Sequence, residues 1–514
     1  MTEPTEIDST QPPSRRTFLK SAAGAFGAAA LASSALSAMS LADTTNTKRP
    51  NFLFILGEGI RYDELHATGN TIIQTPHLDR LVHEGMTFKN AFVINALCLP
   101  SRATIMTGLY SHVTGAIDNR NRPIPPQFPV ISDLLHDAGY EVAFIGKSHV
   151  KGAMHDRYWD YFLGFNGQTN YYHPTMSEAV AGKFSEPKQY HGYVDELLTD
   201  HAVQWVSQKH DKPFCLFLWF YAPHAPFYRM RNLVNLYNGV PIPVPSSFDD
   251  DLKGYPDKTR AVREAHDKIG TSEVGADDPR SLEEVVKDHY AGVVSNDINV
   301  GRVMDVMEKQ GTLDDTAIIL SSDHGFFLGE WRMYDKRFMY EPSIRVPMTI
   351  RYPGMVRPGS STEKMALNLD IAPTMLELAG AQIPAQMQGK SLVPFLRGKD
   401  PATWRHEWLY EYYEYPEAEH VLPHRGIRTD RYKFIHYYLA PEAFEMYDLQ
   451  SDPHEMNNLY PDPQYAPLAK QLRARLDELR KETGDTGKYD VNQAYIDAAP
   501  GERMRKHRPC TTQP

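Results

Sequence analysis

The sequence predicts an α/β fold in which helices flank a central sheet and a smaller α+β subdomain follows. Short apolar runs alternate with amphipathic stretches, which is typical of strands and helices arranged in layers. After about Pro384 this pattern changes to short aromatic runs and one amphipathic helix. The composition fits, because 41% hydrophobic and 23% charged residues in a chain of 514 are ordinary for a globular protein.

The elements are predicted in chain order from these runs. The strands of the central sheet are predicted at Phe52–Leu56, Glu141–Ile145, Phe214–Phe220, Ala317–Leu320 and Pro347–Arg351. The helices between them are predicted at Thr75–Glu84 and Leu282–Gln310. In the subdomain, strands are predicted at Trp408–Tyr415 and Tyr432–Tyr438, and a helix at Tyr465–Thr483. The stretch Val240–Arg280 is rich in Pro, Gly, Asp and Lys and predicts a long surface excursion.

Charge and cysteine content exclude several classes of protein. Lys and Arg total 54 against 65 Asp and Glu, so the net charge is −11 and there is no basic excess to bind nucleic acid. An acidic surface does not exclude an anionic substrate, because a local cationic pocket can outweigh it. The three cysteines, Cys98, Cys215 and Cys510, are too few for a disulfide framework.

The first 42 residues have the pattern of an export signal. Ser14–Lys20 reads S-R-R-T-F-L-K, a twin-arginine motif, and the 22 uncharged residues Ser21–Ala42 follow it. Ser40–Ala42 suits a small-residue cleavage site, although the run is long enough that a retained membrane anchor is the alternative. We expect a twin-arginine translocase as a partner, a periplasmic or secreted location, and no stable membrane span in the mature chain.

The chain therefore divides into four predicted parts. Residues 1–42 are the signal peptide, 48–385 the main domain, 386–490 the small-sheet subdomain, and 491–514 a tail. The tail is predicted to be loosely held, because its basic stretch Glu502–Arg508 is flanked by proline.

Polar residues follow four of the predicted strands at the point where each strand ends. In open α/β sheets ligands bind outside the carboxyl ends of the strands. A single histidine or aspartate at such a place is usually a cap, but four strand ends together indicate a site. The residues that follow the four strands are Glu58, Lys147 with His149, His224, and Asp323 with His324. They predict a cation held by carboxylate oxygens, beside Lys and His that bind and protonate an anion.

Cys98 is the candidate reactive centre. Pro100 suits a first helical turn, so the run Cys98–Thr104 is predicted to lead from a loop into a helix. Backbone N–H groups and the helix dipole there favour negative charge. The alternative is a small buried thiol without chemical function.

The run C-L-P-S-R at Cys98–Arg102, followed by A-T-I-M-T-G at Ala103–Gly108, resembles the signature of the type I sulfatases of the alkaline-phosphatase superfamily. Further stretches of this kind are Pro50–Leu56, Thr75–Leu81, Gly139–Lys147, Ala222–Phe227, Ser322–Gly325, Tyr334–Glu341 and Tyr447–Leu459. The resemblance covers almost the whole chain after the signal and is greatest to bacterial enzymes related to N-acetylglucosamine-6-sulfatases. It implies an alkaline-phosphatase-like central mixed sheet, and hydrolysis of sulfate esters on a sulfated sugar or polysaccharide.

The resemblance also implies roles for the candidate residues. Cys98 would be oxidised to formylglycine by a maturation enzyme, and the hydrate of that aldehyde would attack sulfur and later release sulfate. Arg102 would hold the hydrate, and Lys147 and Lys336 would hold sulfate. The remaining roles would be a base at His149, an acid for the leaving oxygen at His224, and metal ligands at Asp323 and His324.

Two departures from the family pattern affect these expectations. Relatives usually carry two adjacent aspartates after the first strand, where this chain has Glu58 and Gly59. The metal site is therefore expected to bind Ca²⁺, with Mg²⁺ as second choice, more weakly than usual. Water or Asp63 would have to fill the gap that Gly59 leaves. Ser148 stands where relatives commonly have tryptophan.

Two other functions stay open at this point. One is a phosphonate or phosphate ester hydrolase of the same superfamily, and the other is a non-catalytic glycan-binding relative. The aromatic-rich segment Asp156–Pro174 and the run His420–Arg428 are candidate sugar subsites; the alternative is that they pack the two domains together.

Overall fold

The computed structural model describes residues 49–120, 123–150, 154, 157–248, 281–415 and 420–492. These residues lie in one compact unit that begins at Arg49. The signal peptide predicted at 1–42, residues 249–280 of the surface excursion, and the tail beyond residue 492 lie outside the described residues. No helix among the described residues is long and apolar enough to cross a membrane.

Eleven strands of the described chain form one large mixed sheet, which confirms the predicted fold class. In chain order they are β1 (Asn51–Gly57), β2 (Met86–Phe92), β3 (Glu141–Lys147), β4 (Tyr161–Phe165), β5 (Thr175–Val180), β6 (Lys183–Phe184), β7 (Lys188–Gln189), β8 (Phe214–Trp219), β9 (Thr316–Ser322), β12 (Met348–Arg351) and β13 (Ser360–Leu367). Their order across the sheet is β13-β2-β12-β9-β1-β8-β3-β4-β5-β6, with β7 paired to β5. The short β10 (Phe327–Leu328) and β11 (Tyr334–Asp335) form a separate antiparallel hairpin.

The centre of the sheet is parallel and buried on both faces. Phe54 of β1 lies opposite Phe217 of β8 on one side and Ile319 of β9 on the other. Alternate residues of β1 enter different hydrophobic cores, Phe54 on one face and Leu53 on the other. Helices cover both faces, which explains why these strands are continuous apolar runs in the sequence.

The helices follow the predicted pattern. They lie at Pro76–Glu84, Cys98–Thr107, Ser111–Thr114, Ile131–Asp137, Val194–Val206, Leu282–Lys309, Glu341–Ile344, Ile371–Leu378, Val393–Leu396 and Ala466–Thr483, with 3₁₀ turns at His66–Thr68, Arg231–Leu233, Glu330–Arg332, Asn368–Asp370 and Pro463–Tyr465. The longest, Leu282–Lys309, begins with a capping box between Ser281 and Glu284 and packs against Val194–Val206.

The C-terminal part forms a second, smaller sheet, as predicted. Its strands β14 (Glu407–Tyr412), β15 (His424–Thr429), β16 (Tyr432–Tyr437) and β17 (Ala443–Asp448) are antiparallel and lie in chain order. The helix Ala466–Thr483 contacts this sheet. It buries Leu472, Leu476 and Leu479, so its apolar stripe faces the protein and its charged face is outside.

Candidate active site

The candidate residues meet at one edge of the large sheet. Strands β9, β1, β8 and β3 are neighbours and parallel, so their carboxyl ends lie side by side. The side chains that the sequence placed after these strands are all at most 9% exposed: Glu58, Lys147, His149, His224, Asp323 and His324. Buried charged groups are stable only when they are paired with opposite charges or hydrogen-bonded, and the structure provides such partners.

Three of these groups form, together with Cys98, a cluster with the geometry of a metal site. Ligand atoms of Glu58, Cys98, Asp323 and His324 lie within 4.8 Å of one another. His324 Nε2 is 3.5 Å from Asp323 Oδ1 and 3.7 Å from Glu58 Oε1. Burial and the neighbouring Glu58 charge raise the pKa of Asp323 to about 6, which reflects carboxylates crowded together. A cation between them relieves this repulsion, so the donor set fits a divalent ion.

Gly59 lies beside the cluster, whereas Asp63 is engaged elsewhere. Gly59 has a φ of +75°, and a Cβ there would lie 3.5 Å from His324 Cε1, which is ordinary contact. Its N–H donates to Asp323 Oδ1 at 3.1 Å. The Asp63 side chain is 37% exposed and pairs with Arg61 at 2.9 Å. Asp63 is therefore engaged outside the cluster and does not take the place of the missing carboxylate.

Cys98 is the first residue of the helix Cys98–Thr107, and Pro100 lies in its first turn, as predicted. The thiol donates to Glu58 Oε1 at 3.1 Å and lies 3.4 Å from His324 Nε2. Burial and Glu58 oppose ionisation, but the nearby Lys147, Lys336 and His324 hold the pKa of Cys98 well below its ordinary value. The surroundings of this residue thus stabilise an anion.

Arg102 lies one helical turn after Cys98 and connects the two carboxylates. Its Nε donates to Asp323 Oδ2 at 2.9 Å and its Nη2 pairs with Glu58. Its Nη1 donates to the carbonyl oxygen of Lys147 at 2.6 Å. Although burial opposes ionisation of Glu58, Lys147 and Arg102 hold the pKa of this carboxyl well below its ordinary value. The guanidinium therefore fixes both carboxylates and the end of β3 together.

Lys147 is the last residue of β3, His149 follows the strand, and both interact with Cys98. Lys147 Nζ is 2.8 Å from Glu58 Oε1 and lies over the ring of Tyr221 at 5.6 Å. His149 has a φ of 53°, a conformation that few histidines adopt and that positions its ring. Burial lowers the pKa of His149, which favours the neutral imidazole that a base requires.

His224 lies at the end of the segment that follows β8. Its Nδ1 is 2.6 Å from the carbonyl oxygen of Ala225, so this nitrogen carries a proton. Its Nε2 is directed toward the site and lies 3.9 Å from Glu58 Oε1. The ring stacks on Tyr221 with an interplanar angle of 9°, and Tyr171 donates to the carbonyl oxygen of His224 at 2.5 Å.

Lys336 comes from a different part of the fold, directly after the β10–β11 hairpin. Its Nζ lies 3.1 Å from Asp335 Oδ1 and over the ring of Phe326 at 5.7 Å. It is 2% exposed and close enough to Cys98 to lower the pKa of the thiol. The structure thus brings all nine predicted site residues to one place.

Sequence reasoning missed the residues that support this arrangement. Glu414 follows β14 and accepts from Arg337 Nε at 3.3 Å and from the Asn119 backbone N–H at 2.9 Å. The side chain of Asn119 in turn accepts from the N–H of Leu99 at 3.1 Å. One buried carboxylate of the C-terminal part therefore connects the neighbour of Lys336 to the neighbour of Cys98. No local pattern marks this link, because it joins segments far apart in sequence.

The two candidate sugar segments occupy different environments. In the run His420–Arg428, His424 is fully buried among the rings of Phe338, Tyr410 and Tyr437. This burial lowers the pKa of His424 to about 4. The described part of the other segment, 157–174, includes Gln168, whose amide nitrogen is 3.0 Å from His224 Nε2.

Comparison with known proteins agrees with this geometry. A family profile described as sulfatase matches residues 50–381, and one described as N-sulphoglucosamine sulphohydrolase, C-terminal, matches residues 329–482. An N-acetylglucosamine-6-O-sulfatase of Bacteroides thetaiotaomicron is 35% identical to this chain, over 88% of this chain and 90% of that protein. The N-acetylglucosamine-6-sulfatase of Homo sapiens is 29% identical, over 71% of this chain and 68% of that protein.

A solved structure is also similar along its whole length. It holds a protein in complex with its substrate, D-glucosamine-2-N,6-O-disulfate. The TM-score is 0.77 at 32% identity, and the match covers 86% of this chain and 100% of that chain.

Proposed function

Because this chain belongs to the sulfatase family and hydrolyses sulfate esters, we propose that its substrate is a 6-O-sulfated glucosamine unit and that Cys98 supplies its nucleophile. The observation that carries the proposal is the position of Cys98. It lies at a helix start, within the cluster suited to a cation and near the cations Lys147 and Lys336. The names of two relatives and the substrate bound in a similar solved structure support the 6-O position on glucosamine.

The proposal includes conversion of Cys98 to formylglycine by a maturation enzyme. The hydrated aldehyde supplies two hydroxyls on one carbon, one to displace the alcohol from sulfur and one to expel sulfate. The run Cys98–Arg102 supports it, as do the groups that favour negative charge at this position. His149, with its lowered pKa, is suited to take a proton from residue 98.

The metal proposed for the cluster is Ca²⁺, with Mg²⁺ as second choice. A divalent ion there supplies positive charge beside the sulfate oxygens and the nucleophile. Glu58 and Asp323 provide the hard oxygen donors that these ions prefer, and His324 adds one nitrogen. Arg102 holds both carboxylates in place, so the donor set is organised by the protein itself.

The other site residues act on the substrate. Lys147 and Lys336 are placed to bind sulfate oxygens and to balance the charge that develops during transfer. Lys147 Nζ is 2.8 Å from Glu58 Oε1, so sulfate would compete with this carboxylate for the lysine. His224 presents Nε2 to the site while Nδ1 donates to the carbonyl oxygen of Ala225, so the ring, once it also carries a proton on Nε2, is suited to give that proton to the leaving oxygen.

Export across the bacterial inner membrane is also part of the proposal. The S-R-R-T-F-L-K run and the uncharged residues after it support twin-arginine transport to the periplasm or the medium. This route carries folded proteins, so conversion of Cys98 would precede export.

Sulfate release tests the proposed function. Protein co-expressed with a formylglycine-generating enzyme should release sulfate from N-acetylglucosamine-6-sulfate and leave an aryl phosphonate largely intact. The Cys98→Ala variant, prepared in the same way, serves as the control for contaminating activity. Preference for the phosphonate would favour the alternative hydrolase, and binding of the sugar without turnover would favour the non-catalytic relative.

A further inference from the structure

Gln168 lies at the mouth of the site. It follows β4, which pairs with β3, and so extends from the same edge of the sheet as Lys147. Gln168 is exposed as a residue, yet its amide reaches two side chains of the site. Its carbonyl oxygen accepts from Tyr221 OH at 3.0 Å, and its amide nitrogen donates to His224 Nε2 at 3.0 Å.

The contact with His224 locates Gln168 relative to the reacting atoms. The other ring nitrogen of His224 is engaged with Ala225 at 2.6 Å, so Nε2 is the nitrogen that meets the leaving oxygen. A hydrogen bond brings that oxygen to about 3 Å from Nε2. Because Nε2 has one in-plane hydrogen-bonding direction, the leaving oxygen takes the position that the Gln168 amide occupies here, and the amide then lies against the sugar that carries this oxygen.

The orientation of the amide is set before substrate arrives. Tyr221, which donates to its carbonyl oxygen, stacks on the His224 ring at 5.4 Å. The backbone N–H of Tyr221 is in turn held by the buried Asp195 at 2.9 Å. With its carbonyl oxygen bound to Tyr221, Gln168 presents N–H groups, and these lose His224 as acceptor once Nε2 carries the proton that it gives to the leaving oxygen.

We propose that Gln168 is a specificity-determining residue that donates a hydrogen bond to an oxygen of the sugar next to the scissile ester. The inference rests on the proposed function and extends it from the sulfate to the leaving group. In a 6-O-sulfated sugar such oxygens are the ring oxygen, on the carbon next to the ester carbon, and the hydroxyl one carbon further on, whereas a simple aryl sulfate has none there. A site that donates a hydrogen bond discriminates against a ligand that lacks the acceptor.

The test compares two substrates in two variants. Gln168→Met keeps the length of the side chain and removes its hydrogen bonds, and Gln208→Ala is a matched control at an exposed glutamine remote from the sheet edge. For Gln168→Met, kcat/KM with N-acetylglucosamine-6-sulfate should fall about tenfold, the value of one hydrogen bond. With 4-nitrophenyl sulfate it should change less than about twofold. Gln208→Ala should match the wild type on both.

A binding measurement makes the test independent of turnover. In the Cys98→Ala background, Gln168→Met should weaken binding of N-acetylglucosamine-6-sulfate by calorimetry and leave binding of inorganic sulfate unchanged. Equal losses of affinity for sugar and sulfate, or no loss for either, would overturn this inference and leave the proposed function standing. A wild-type enzyme that releases no sulfate from the sugar would instead overturn the proposed function, and this inference with it.

Discussion

The position of Cys98 indicates that its replacement should stop turnover without preventing folding. Removing the thiol loses one sulfur atom from a buried site, a small packing change. We predict that Cys98→Ala has no sulfatase activity and that Cys98→Ser fails or stalls after one transfer, because a serine sulfate ester lacks the second hydroxyl that expels sulfate. Steady-state assays with a burst measurement check this.

The control for this pair is the other described thiol. Cys215 is buried in β8 and its pKa is raised by burial, so it is an unreactive core residue. Cys215→Ala should retain activity in folded protein. Full activity in either Cys98 variant would exclude a mechanism through formylglycine.

Gly59 determines a second prediction, on metal affinity. Because Gly59 adds no carboxylate, the site should hold its ion weakly. Chelation should therefore abolish activity, and added Ca²⁺ should restore it. Aspartate tolerates the left-handed conformation at this position better than most residues, and its Cβ meets only ordinary contacts. Gly59→Asp should therefore bind Ca²⁺ more tightly in calorimetry, by roughly tenfold if it adds one charged ligand.

Asparagine provides the matched control at residue 59, since it has the same shape and conformational tolerance without the charge. Gly59→Asn should bind Ca²⁺ with an affinity between those of the wild type and Gly59→Asp. Equal affinity in all three proteins would show that residue 59 does not face the ion.

At the scale of elements, the strands that hold the site were predictable from the sequence. β1, β3, β8 and β9 are buried on both faces, so each is a largely apolar run, and a polar site residue ends it or follows it within a few residues. Parallel strands that share one edge then bring Glu58, Lys147, His224 and Asp323 together.

Other elements were not predictable in the same way. β13 begins with Ser-Ser-Thr-Glu-Lys at the edge of the sheet and has the composition of a loop. β2 was not predicted either. β12 was predicted as a strand, but nothing in the sequence shows that it pairs antiparallel with β9. Lys336 follows a short hairpin, so only the family resemblance identified it, and Gln168 stands in a loop whose sequence does not reveal the contact with His224.

His112 links three elements and gives a prediction on stability against pH. Its Nδ1 lies 2.6 Å from Glu411 on β14, and its Nε2 lies 3.0 Å from the carbonyl oxygen of Thr483 at the end of the last helix. Both partners are acceptors, so the ring is protonated. Burial opposes the charge, but Glu411 raises the pKa of His112 to about 9. Stability from this group is therefore complete below the unfolded pKa of about 6.5 and lost as pH rises through about 9.

We expect His112→Asn to lower the melting temperature by several degrees at pH 6 and by much less at pH 9.5. His406→Asn is the control, because the His406–Asp430 pair is exposed and contributes little. A difference between wild type and His112→Asn that stays constant across this range would show that the ring is neutral in the folded protein.

For the whole molecule, the N-terminal signal predicts where the enzyme works. The mature protein should be recovered outside the cytoplasm with an N-terminus near Asp43. Changing Arg15 and Arg16 together to lysine should retain the precursor in the cell, because the translocase recognises the arginine pair. Fractionation and N-terminal sequencing measure both, and unchanged export of the double variant would contradict the twin-arginine assignment.

Activity of the whole enzyme depends on the chemical state of residue 98, since the sheet edge, the cation cluster and the two lysines all converge on it. Mass measurement of the peptide that contains Cys98, from protein prepared with and without a maturation enzyme, tests this dependence most directly. We expect an aldehyde in place of the thiol, in a fraction that rises and falls with the specific activity toward N-acetylglucosamine-6-sulfate. A fully active preparation in which every such peptide still carries the thiol would contradict it.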